Sequence, residues 1–549
     1  MRPFLICLLL VVGMAPSVQA QPVSLRGDLE LEATSDALDG VRLAYDPTSE
    51  RLLVASLGGN VFSVDPDVAN KQVTLLYTPA NHGVPAPLMG MDVAQDGTIY
   101  LVGNDAGSQP GYNIGVIKRG RLGNDGNRTW ETVATTAPYP RSNTNYDHNM
   151  NAVVLSPDEQ FLFVNSGSRT DHGEEQSNNG QFPGVREVPL TSAIFRIPVD
   201  ATGLLLPDDE ALLRQGGYLY ADGTRNSFSM AFDAEGQLYA LENSGDRDDS
   251  EEMNRIVEGG HYGFPWRIAL EATPMQFPDY DPSADLLLNP AAGAVQDGHF
   301  HNDPDYPAPP PGVTFSDPVL NVGPDADLYR DPVTGAIRDA SDDGVVFGTF
   351  TSHRSPLGLV FDTEGALPDS YMGDALALGW TGSESPLLGP FSGEGEDLLH
   401  LTFVPGSNGT SISTERIASG FQNPIDAELV GASLYILEFG NGGRVWEVRF
   451  TRTVTTDPAV PVGSPSLTVF PNPMSGQARI RISSGRTGRA RAGIYAVDGR
   501  QMGTLQFVDT IASGETEVSL DMSAHPPGVY FVRVEVPGQP PARTSFVHM

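Results

Sequence analysis

The sequence predicts an all-β protein: a six-bladed β-propeller followed by a small C-terminal Ig-like β-sandwich. Three observations carry this. A unit of apolar strand, turn rich in Asp, Glu, Pro or Gly, and second apolar strand recurs six times between residues 41 and 448. Helical periodicity is almost absent over the same span. After Phe450 the composition changes, first to a Thr/Pro/Val-rich stretch and then to a more basic segment with strand patterns of its own. Repeated hairpins in one internal order suit radial closure, which hides sheet edges and turns the loops at one end towards an axis. A stacked sandwich is the alternative arrangement of the same strands.

The first unit pairs residues 41–45 with 52–55 across the turn 46–50, with a third strand at 60–64. The second pairs 89–94 with 99–102 around Gln95-Asp96-Gly97. In the third, 152–155 and 161–165 flank Ser156-Pro157-Asp158-Glu159, with an outer strand at 193–197. The fourth places Met230 and Phe232 before the turn Asp233-Ala234-Glu235-Gly236, and Leu238 and Ala240 after it, at strand spacing. The fifth runs through 357–361, 374–378 and 398–403, and the sixth through 425–429, 434–438 and 444–448. The stretch 225–265 holds the densest chemistry. It opens on Arg225-Asn226, which can aim a cation and an amide at one point from a strand start, and continues past its second strand into carboxylates at 246–252.

Residues 267–343 interrupt the rhythm with a Pro- and Asp-rich insertion, of a length found in lids over sites or in surface excursions. Asp325, Asp327 and Asp331 within it have oxygens suited to a hard cation, yet the glycine and terminal glutamate of an EF-hand loop are missing. A solvated acidic loop is the preferred reading.

Length and charge bound the rest. The 549 residues carry a formal net charge of −36, which disfavours nucleic acid and anionic membranes as partners. Lys71 and Lys118 are the only lysines, and an acidic, Lys-poor surface suits hydration in high salt. Residues 1–20 read as a secretory signal: Arg2, an apolar run from Leu5 to Val12, and the small-residue end Val18-Gln19-Ala20. That run is too short to span a bilayer comfortably. Cys7, the only cysteine, lies within it, so the exported chain has no disulfide and no thiolate chemistry. Residues 21–450 are expected to form the propeller, 451–465 a linker and 466–549 the sandwich.

Val469-Phe470-Pro471-Asn472-Pro473, the run from Ile494 to Arg500, Pro527-Gly528-Val529-Tyr530 and Ser545-Phe546-Val547 resemble the C-terminal sorting domain of type IX secretion cargo. This implies the type IX machinery as a partner and a secreted or cell-surface location. The usual Lys-rich ending is replaced by Arg543 and His548. A carbohydrate-binding sandwich is the alternative.

The propeller resembles the soluble quinoprotein glucose dehydrogenase and sorbosone dehydrogenase family. The matching stretches are Arg225-Asn226, Leu241-Glu242-Asn243, Glu252-Met253-Asn254, the run from Gly259 to Pro265, Asp147-His148-Asn149, and Ser355 to Phe361 with Tyr371-Met372-Gly373-Asp374. The resemblance implies oxidation of a sugar at its anomeric hydroxyl, with pyrroloquinoline quinone (PQQ) as acceptor and Ca²⁺ polarising the quinone. His148 would be the general base with Asp147 beside it. Arg225, Asn226 and Asn243 would contact the cofactor, and the backbone carbonyls of Ser244 and Gly245 would hold Ca²⁺. The cofactor is a tricarboxylate and needs fixed cations. Where the family supplies Lys and Arg, this chain reads Ala377-Leu378-Gly379-Trp380-Thr381 and Gly420-Phe421-Gln422-Asn423-Pro424, and Arg354 is the nearest replacement. Two further readings therefore stand beside the dehydrogenase: a glycan- or polyol-binding propeller of the same lineage, and a calcium-dependent lactonase-like hydrolase using Asn226, Asn243 and the carboxylates around Glu242.

Overall fold

The structure is a computed structural model, and it describes residues 21–66, 72–391, 395–404, 406–407, 409–440, 442–451, 466–484, 491–496, 501–504, 514–523, 525–535 and 542–549. The expected signal, most of the linker and residues 497–500 of the sorting motif lie outside these. The chain divides into two compact units, Met1–Thr451 and Arg452–Met549.

Among the described residues the first unit contains six sheets of three or more strands, each built on an antiparallel core, in chain order. Their first strands are Arg42–Asp46, Leu88–Val93, Met150–Leu155, Ser229–Phe232, Pro356–Phe361 and Pro424–Val430. Each first strand contacts the next, and Pro424–Val430 contacts Arg42–Asp46, so the sheets close into a ring. The all-β class holds, and the order is that of a propeller. Several pairings lie outside the sequence expectation, among them Val23–Ser24 with Ser411–Ser419 in the fifth sheet. Leu29–Ala33 pairs antiparallel with Val445–Phe450, so the last sheet is completed from the other end of the chain. Leu204–Leu206 adds in parallel to the outer strand Arg128–Thr136 of the second sheet.

Second strands such as Arg51–Ala55 read Leu-Leu-Val-Ala without alternation because neighbouring sheets cover both faces, and all four of those residues are buried. The hairpin turns use acidic side chains as caps. In the fourth sheet the Asp233 carboxylate accepts from the Gln237 backbone N–H at 2.8 Å. Gly236 in the same turn takes a φ of 79°, which glycine adopts without strain.

The centre of the ring is tied by Arg42. Its Nε donates to Met89 O at 2.6 Å, and its Nη2 donates to Phe228 O at 2.8 Å and to Asn151 O. Its Nη1 lies 3.8 Å from Asp426 Oδ1. The guanidinium also covers the Phe228 ring, 3.8 Å from its centroid, a cation–π contact. One side chain of the first sheet thereby meets the second, third, fourth and sixth.

The insertion does not form one solvated acidic loop. Asp327 is buried and accepts from Ser341 N at 3.0 Å, Asp325 accepts from Arg416 N at 2.8 Å, and Asp331 caps its own turn at Thr334 N, 2.8 Å away. The three carboxylates serve separate backbone groups and do not converge.

In the second unit, Ser466–Phe470, Gln477–Ser484 and Gly514–Asp521 make one sheet. Gln501–Thr504, Arg491–Ala496, Gly528–Glu535 and Ala542–His548 make the other. Ile480, Ile482, Val518, Leu520, Ile494, Val532, Val534 and Phe546 from both sheets share one core, the arrangement of a sandwich.

Arg42→Met removes the charge but leaves three carbonyls without their donor and Asp426 without its cation. It is expected to destabilise the protein by about 3–5 kcal/mol, the cost of breaking a buried ionic cluster on one side, read by chemical denaturation of the mature chain.

Candidate functional site

In an antiparallel hairpin the start of the first strand lies beside the end of the second, so residues at these positions share one rim of the ring. His148, Arg225-Asn226, Arg354 and Asn423 precede first strands, and Asn243-Ser244-Gly245 follows the second strand Leu238–Glu242. Asn149, Ser355 and Asn423 at this rim hold left-handed backbone, with φ of 59°, 52° and 44°. Each costs roughly 1 kcal/mol or more, and such strain collects at binding sites.

His148 is half-buried. Its Nδ1 lies 3.2 Å from Ser168 O and 3.1 Å from Ser168 Oγ, and the Ser168 hydroxyl donates its own proton to Thr170 O at 2.8 Å. Both Ser168 oxygens are thus acceptors, so Nδ1 carries the ring proton and Nε2 the lone pair. Burial, reinforced by the Arg225 charge, pushes the imidazole down to about 3. Gly167 admits the ring to this position: a Cβ there would stand 2.5 Å from His148 Cβ and 3.2 Å from Asn226 Oδ1. Asp147 is adjacent in sequence only. Its carboxylate accepts from Ser142 N and Asn143 N, both at 2.8 Å, and faces Arg141 Nη2 at 3.5 Å, so it holds the turn leading into His148.

Arg225 is buried and committed to the protein. Nε donates to Asp171 O at 2.8 Å, Nη2 to Asp171 Oδ1 at 3.0 Å, and Nη1 to Asn243 O at 3.2 Å. Burial alone would raise the Asp171 carboxyl, but the His172 N–H at 2.9 Å and the Arg225 charge hold it well below the usual range. His172 is in turn held above its ordinary value: burial works against the cation, and Glu174 and Asp171 more than offset it. The Arg225 backbone N–H donates to Glu242 Oε2 at 2.6 Å, and Ser227 Oγ donates to Glu242 Oε1 at 2.8 Å. Burial and the neighbouring Glu252 charge push Glu242 up to about 8. Its oxygens therefore shape the Arg225-Asn226 loop from below.

Four asparagines connect across the third and fourth sheets. Asn165 Nδ2 donates to Asn151 Oδ1 at 2.8 Å, Asn151 Nδ2 to Asn226 Oδ1 at 2.7 Å, and Asn226 Nδ2 to Asn243 Oδ1 at 2.8 Å. Asn243 Nδ2 is buried with no acceptor among the described residues.

Arg354 is fully buried with its Nη2 2.5 Å from Asp397 Oδ1, so it does not stand in for the expected cations. Arg169 spends its guanidinium on the carbonyls of Pro140, Val185, Arg186 and Gln176. Each of these guanidiniums, like that of Arg141, is paired inside the protein, while Asp171, Glu174, Asp246 and Glu251 are drawn into the same region. A tricarboxylate brought here meets no uncommitted arginine among the described residues, and burying unpaired carboxylates is costly; the residues present do not fit PQQ. Ser244 and Gly245 lie among these acids: the site of a Gly245 Cβ is 3.0 Å from Asp171 Oδ2. Among the described residues no group of three His, Cys, Asp or Glu is arranged to hold a metal, so Ca²⁺ would depend on backbone carbonyls.

The insertion reaches this rim. Asp246 accepts from Ala294 N at 2.7 Å and from Tyr146 OH at 3.1 Å, and Phe300 stacks on His172 at 3.9 Å. Ser168, Asp171 and Asn151 were not singled out from sequence. The Gly-Ser pair just after a strand end was the one signal available.

Residues 41–274 match the glucose / sorbosone dehydrogenase family model, and residues 468–541 match the secretion system C-terminal sorting domain. No curated protein shows a significant match. Among solved structures, a PQQ-bound aldose sugar dehydrogenase from Streptomyces coelicolor is 17% identical over 79% of this chain and 99% of its own, with a TM-score of 0.44. A calcium structure of a Trichoderma reesei Family AA12 enzyme is 17% identical, covering 80% and 100%, with a TM-score of 0.48. The holo PQQ domain of a Coprinopsis cinerea pyranose dehydrogenase is 15% identical, covering 79% and 98%, with a TM-score of 0.48. Likenesses this distant assign no activity. The chain thus carries a match to the glucose / sorbosone dehydrogenase family model over residues 41–274 and a match to the secretion system C-terminal sorting domain over residues 468–541.

Proposed function

We propose that the propeller binds a neutral sugar or related polyol at the rim formed by His148, Arg225, Asn226 and Asn243, and that the sorting domain directs it through type IX secretion to the cell surface or beyond. No helix among the described residues is long and apolar enough to cross a membrane. The observation that carries the reading is that the rim's cations are spent while its neutral hydrogen-bonding groups are held in fixed directions. Neutral ligands with many hydroxyls suit such a site, and carboxylates do not. His148 presents the Nε2 lone pair to a ligand hydroxyl. A base near 3 is far below the pH at which proton abstraction is efficient, so it suits accepting a hydrogen bond better than removing the proton.

The second reading is a PQQ-dependent dehydrogenase that oxidises the anomeric hydroxyl of an aldose, with Ca²⁺ at the Ser244 and Gly245 carbonyls. The family match over residues 41–274 favours it. The lactonase-like reading has less support, because the Asn226 and Asn243 amide oxygens each already spend one of two lone pairs on a protein hydrogen bond.

Calorimetric titration with a panel of aldoses and polyols is expected to show saturable binding that weakens about tenfold in His148→Ala, the loss of one hydrogen bond. Titration with PQQ in millimolar Ca²⁺ is expected to show no saturable binding; binding with dye-linked aldose turnover would establish the dehydrogenase instead.

The pH dependence has a definite sign. Because the folded imidazole titrates at about 3, ligand affinity is expected to stay level from pH 8 to about pH 4 and to fall only below that as Nε2 protonates. Arg225→Met removes the nearby like charge, raises the imidazole pKa, and is expected to move the acid limb of the affinity profile to higher pH.

A further inference from the structure

Between the outer strands of the first and second sheets lies a cavity of about 260 Å³ that shares no residue with the rim. Leu76, Tyr77 and Asn81 line it from the first sheet's side, and Gly126 to Arg128 and Trp130 from the second's. Arg128 is held rigidly at its edge. Nη1 donates to Gly97 O at 2.7 Å and to Gly120 O at 2.6 Å, and Nε donates to Tyr77 Oη at 3.0 Å. Nη2 has no partner among the described residues, keeps access to solvent, and no carboxylate there neutralises the group. Gly120 makes this arrangement possible, since a Cβ on it would stand 2.7 Å from Trp130 Cε3 and 2.8 Å from Arg128 Cδ. The register pairs Lys118 with Thr132, Gly120 with Trp130 and Leu122 with Arg128, so Lys118 shares the face of Arg128 and Trp130. Lys118 also lacks a carboxylate partner among the described residues. In a chain with a net charge of −36, one strand pair thus carries two cations that no acid offsets.

The neutral groups around the cavity have fixed directions. The Thr78 backbone N–H, which only donates, lies 2.8 Å from Asn81 Oδ1, so Nδ2 of that amide is left without a protein acceptor. Asn127 is the reverse case: its Nδ2 donates to Asp125 Oδ2 at 2.9 Å, which leaves Oδ1 open. Tyr77 Oη accepts from Arg128 and has its own proton to give. One free cationic donor, two neutral donors and one neutral acceptor therefore line a space smaller than the roughly 300–1,000 Å³ of sites for drug-sized ligands. One cation calls for one carboxylate, the neutral groups suit hydroxyls, and the volume suits a single ring.

We propose that this cavity is a second binding site, specific for a sugar acid: a hexuronate whose carboxylate meets Arg128 Nη2 and whose hydroxyls meet Tyr77 Oη, Asn81 Nδ2 and Asn127 Oδ1. The rim disfavours carboxylates because its arginines are paired with acids; this site selects them because its arginine is paired only with carbonyls and a phenol. A guanidinium fixed before the ligand arrives loses little freedom on binding. Asp125, tied to Asn127 beside the cavity, disfavours ligands of higher negative charge.

Calorimetric titration of the mature protein with glucuronate, glucose and acetate tests this. Glucuronate is expected to bind saturably, and more weakly as salt screens the charge pair. Acetate, which lacks the hydroxyls, is expected to bind about tenfold more weakly still. Asn81 is exposed, and Asn81→Asp keeps the oxygen that Thr78 needs while putting a negative charge beside the ligand carboxylate. It is expected to weaken glucuronate about tenfold and to leave glucose binding at the rim unchanged. Arg128→Gln is expected to abolish glucuronate binding, but it also strips Gly97 O and Gly120 O of their donor, so Asn81→Asp is the decisive variant. The proposal is overturned by an absence of saturable glucuronate binding, by equal affinity for acetate, or by unchanged glucuronate affinity in Asn81→Asp. Glucuronate binding that disappears in His148→Ala places the acid at the rim and overturns it as well. If glucose does not bind while glucuronate binds in an Asn81-dependent way, the rim reading falls and this one stands.

Discussion

The ring depends on the guanidinium of Arg42. Sheets arranged radially share no hydrogen-bond ladder from one to the next, so their first strands need another tie where they crowd together. Arg42 supplies it through the carbonyls of Met89, Asn151 and Phe228, its approach to Asp426 and its stacking on Phe228. Burial pushes the group down to about 10, which still leaves it charged at neutral pH. A buried charge of this kind is tolerated because its planar fork meets several fixed acceptors at once. Two of those acceptors lie beside the site: Asn151, in the strand Met150–Leu155, belongs to the amide chain, and Phe228 closely follows Asn226 in sequence. The clamp that joins the sheets thus also fixes the floor beneath the ligand groups.

The sheet order was legible because each unit kept the same internal sequence of strand, acidic turn and strand. Continuous apolar runs such as Leu52-Leu53-Val54-Ala55 announced strands covered on both sides. The N-terminal strand was not legible: Glu30 and Glu32 alternate with Leu29 and Leu31 in a short polar segment whose partner strand is the last of the propeller, Val445–Phe450. At the site, His148, Arg225, Asn226 and Asn243 do come together. Asp147 and Arg354 do not join them, because each is taken by a nearer partner, the 142–143 turn in one case and Asp397 in the other. Partner choice of that kind depends on side-chain direction, which motif spacing does not encode. Ser168 went unnoticed for the converse reason. A hydroxyl beside an imidazole is chemically informative only after folding shows that its proton is spent on Thr170 O.

Charge explains why the residues of this rim do not fit a tricarboxylate although they lie within or beside the stretch that matches the family model. The rim retains the arginine and amides of the matching motif, yet Asp171 neutralises Arg225 and Asp397 neutralises Arg354. The acidic character of the whole chain extends into the pocket. An aldose is indifferent to such a field, whereas a ligand with several carboxylates is repelled by it.

The pairing of Leu29–Ala33 with Val445–Phe450 has a kinetic consequence. Synthesis delivers a chain from its N-terminus onwards, and the first four sheets draw their core strands each from a single continuous stretch, so they form as that stretch emerges. The last two sheets are the exception, since Val23–Ser24 at the edge of the fifth and Leu29–Ala33 at the edge of the sixth emerge first and have to wait for Ser411–Ser419 and Val445–Phe450. Such a contact carries a large loop-closure cost and forms late. Until it does, Val445–Phe450 presents an open, apolar strand edge of the kind that seeks partners in other chains. The interval between synthesis of the first strand and arrival of the last is therefore the chain's period of greatest exposure to aggregation.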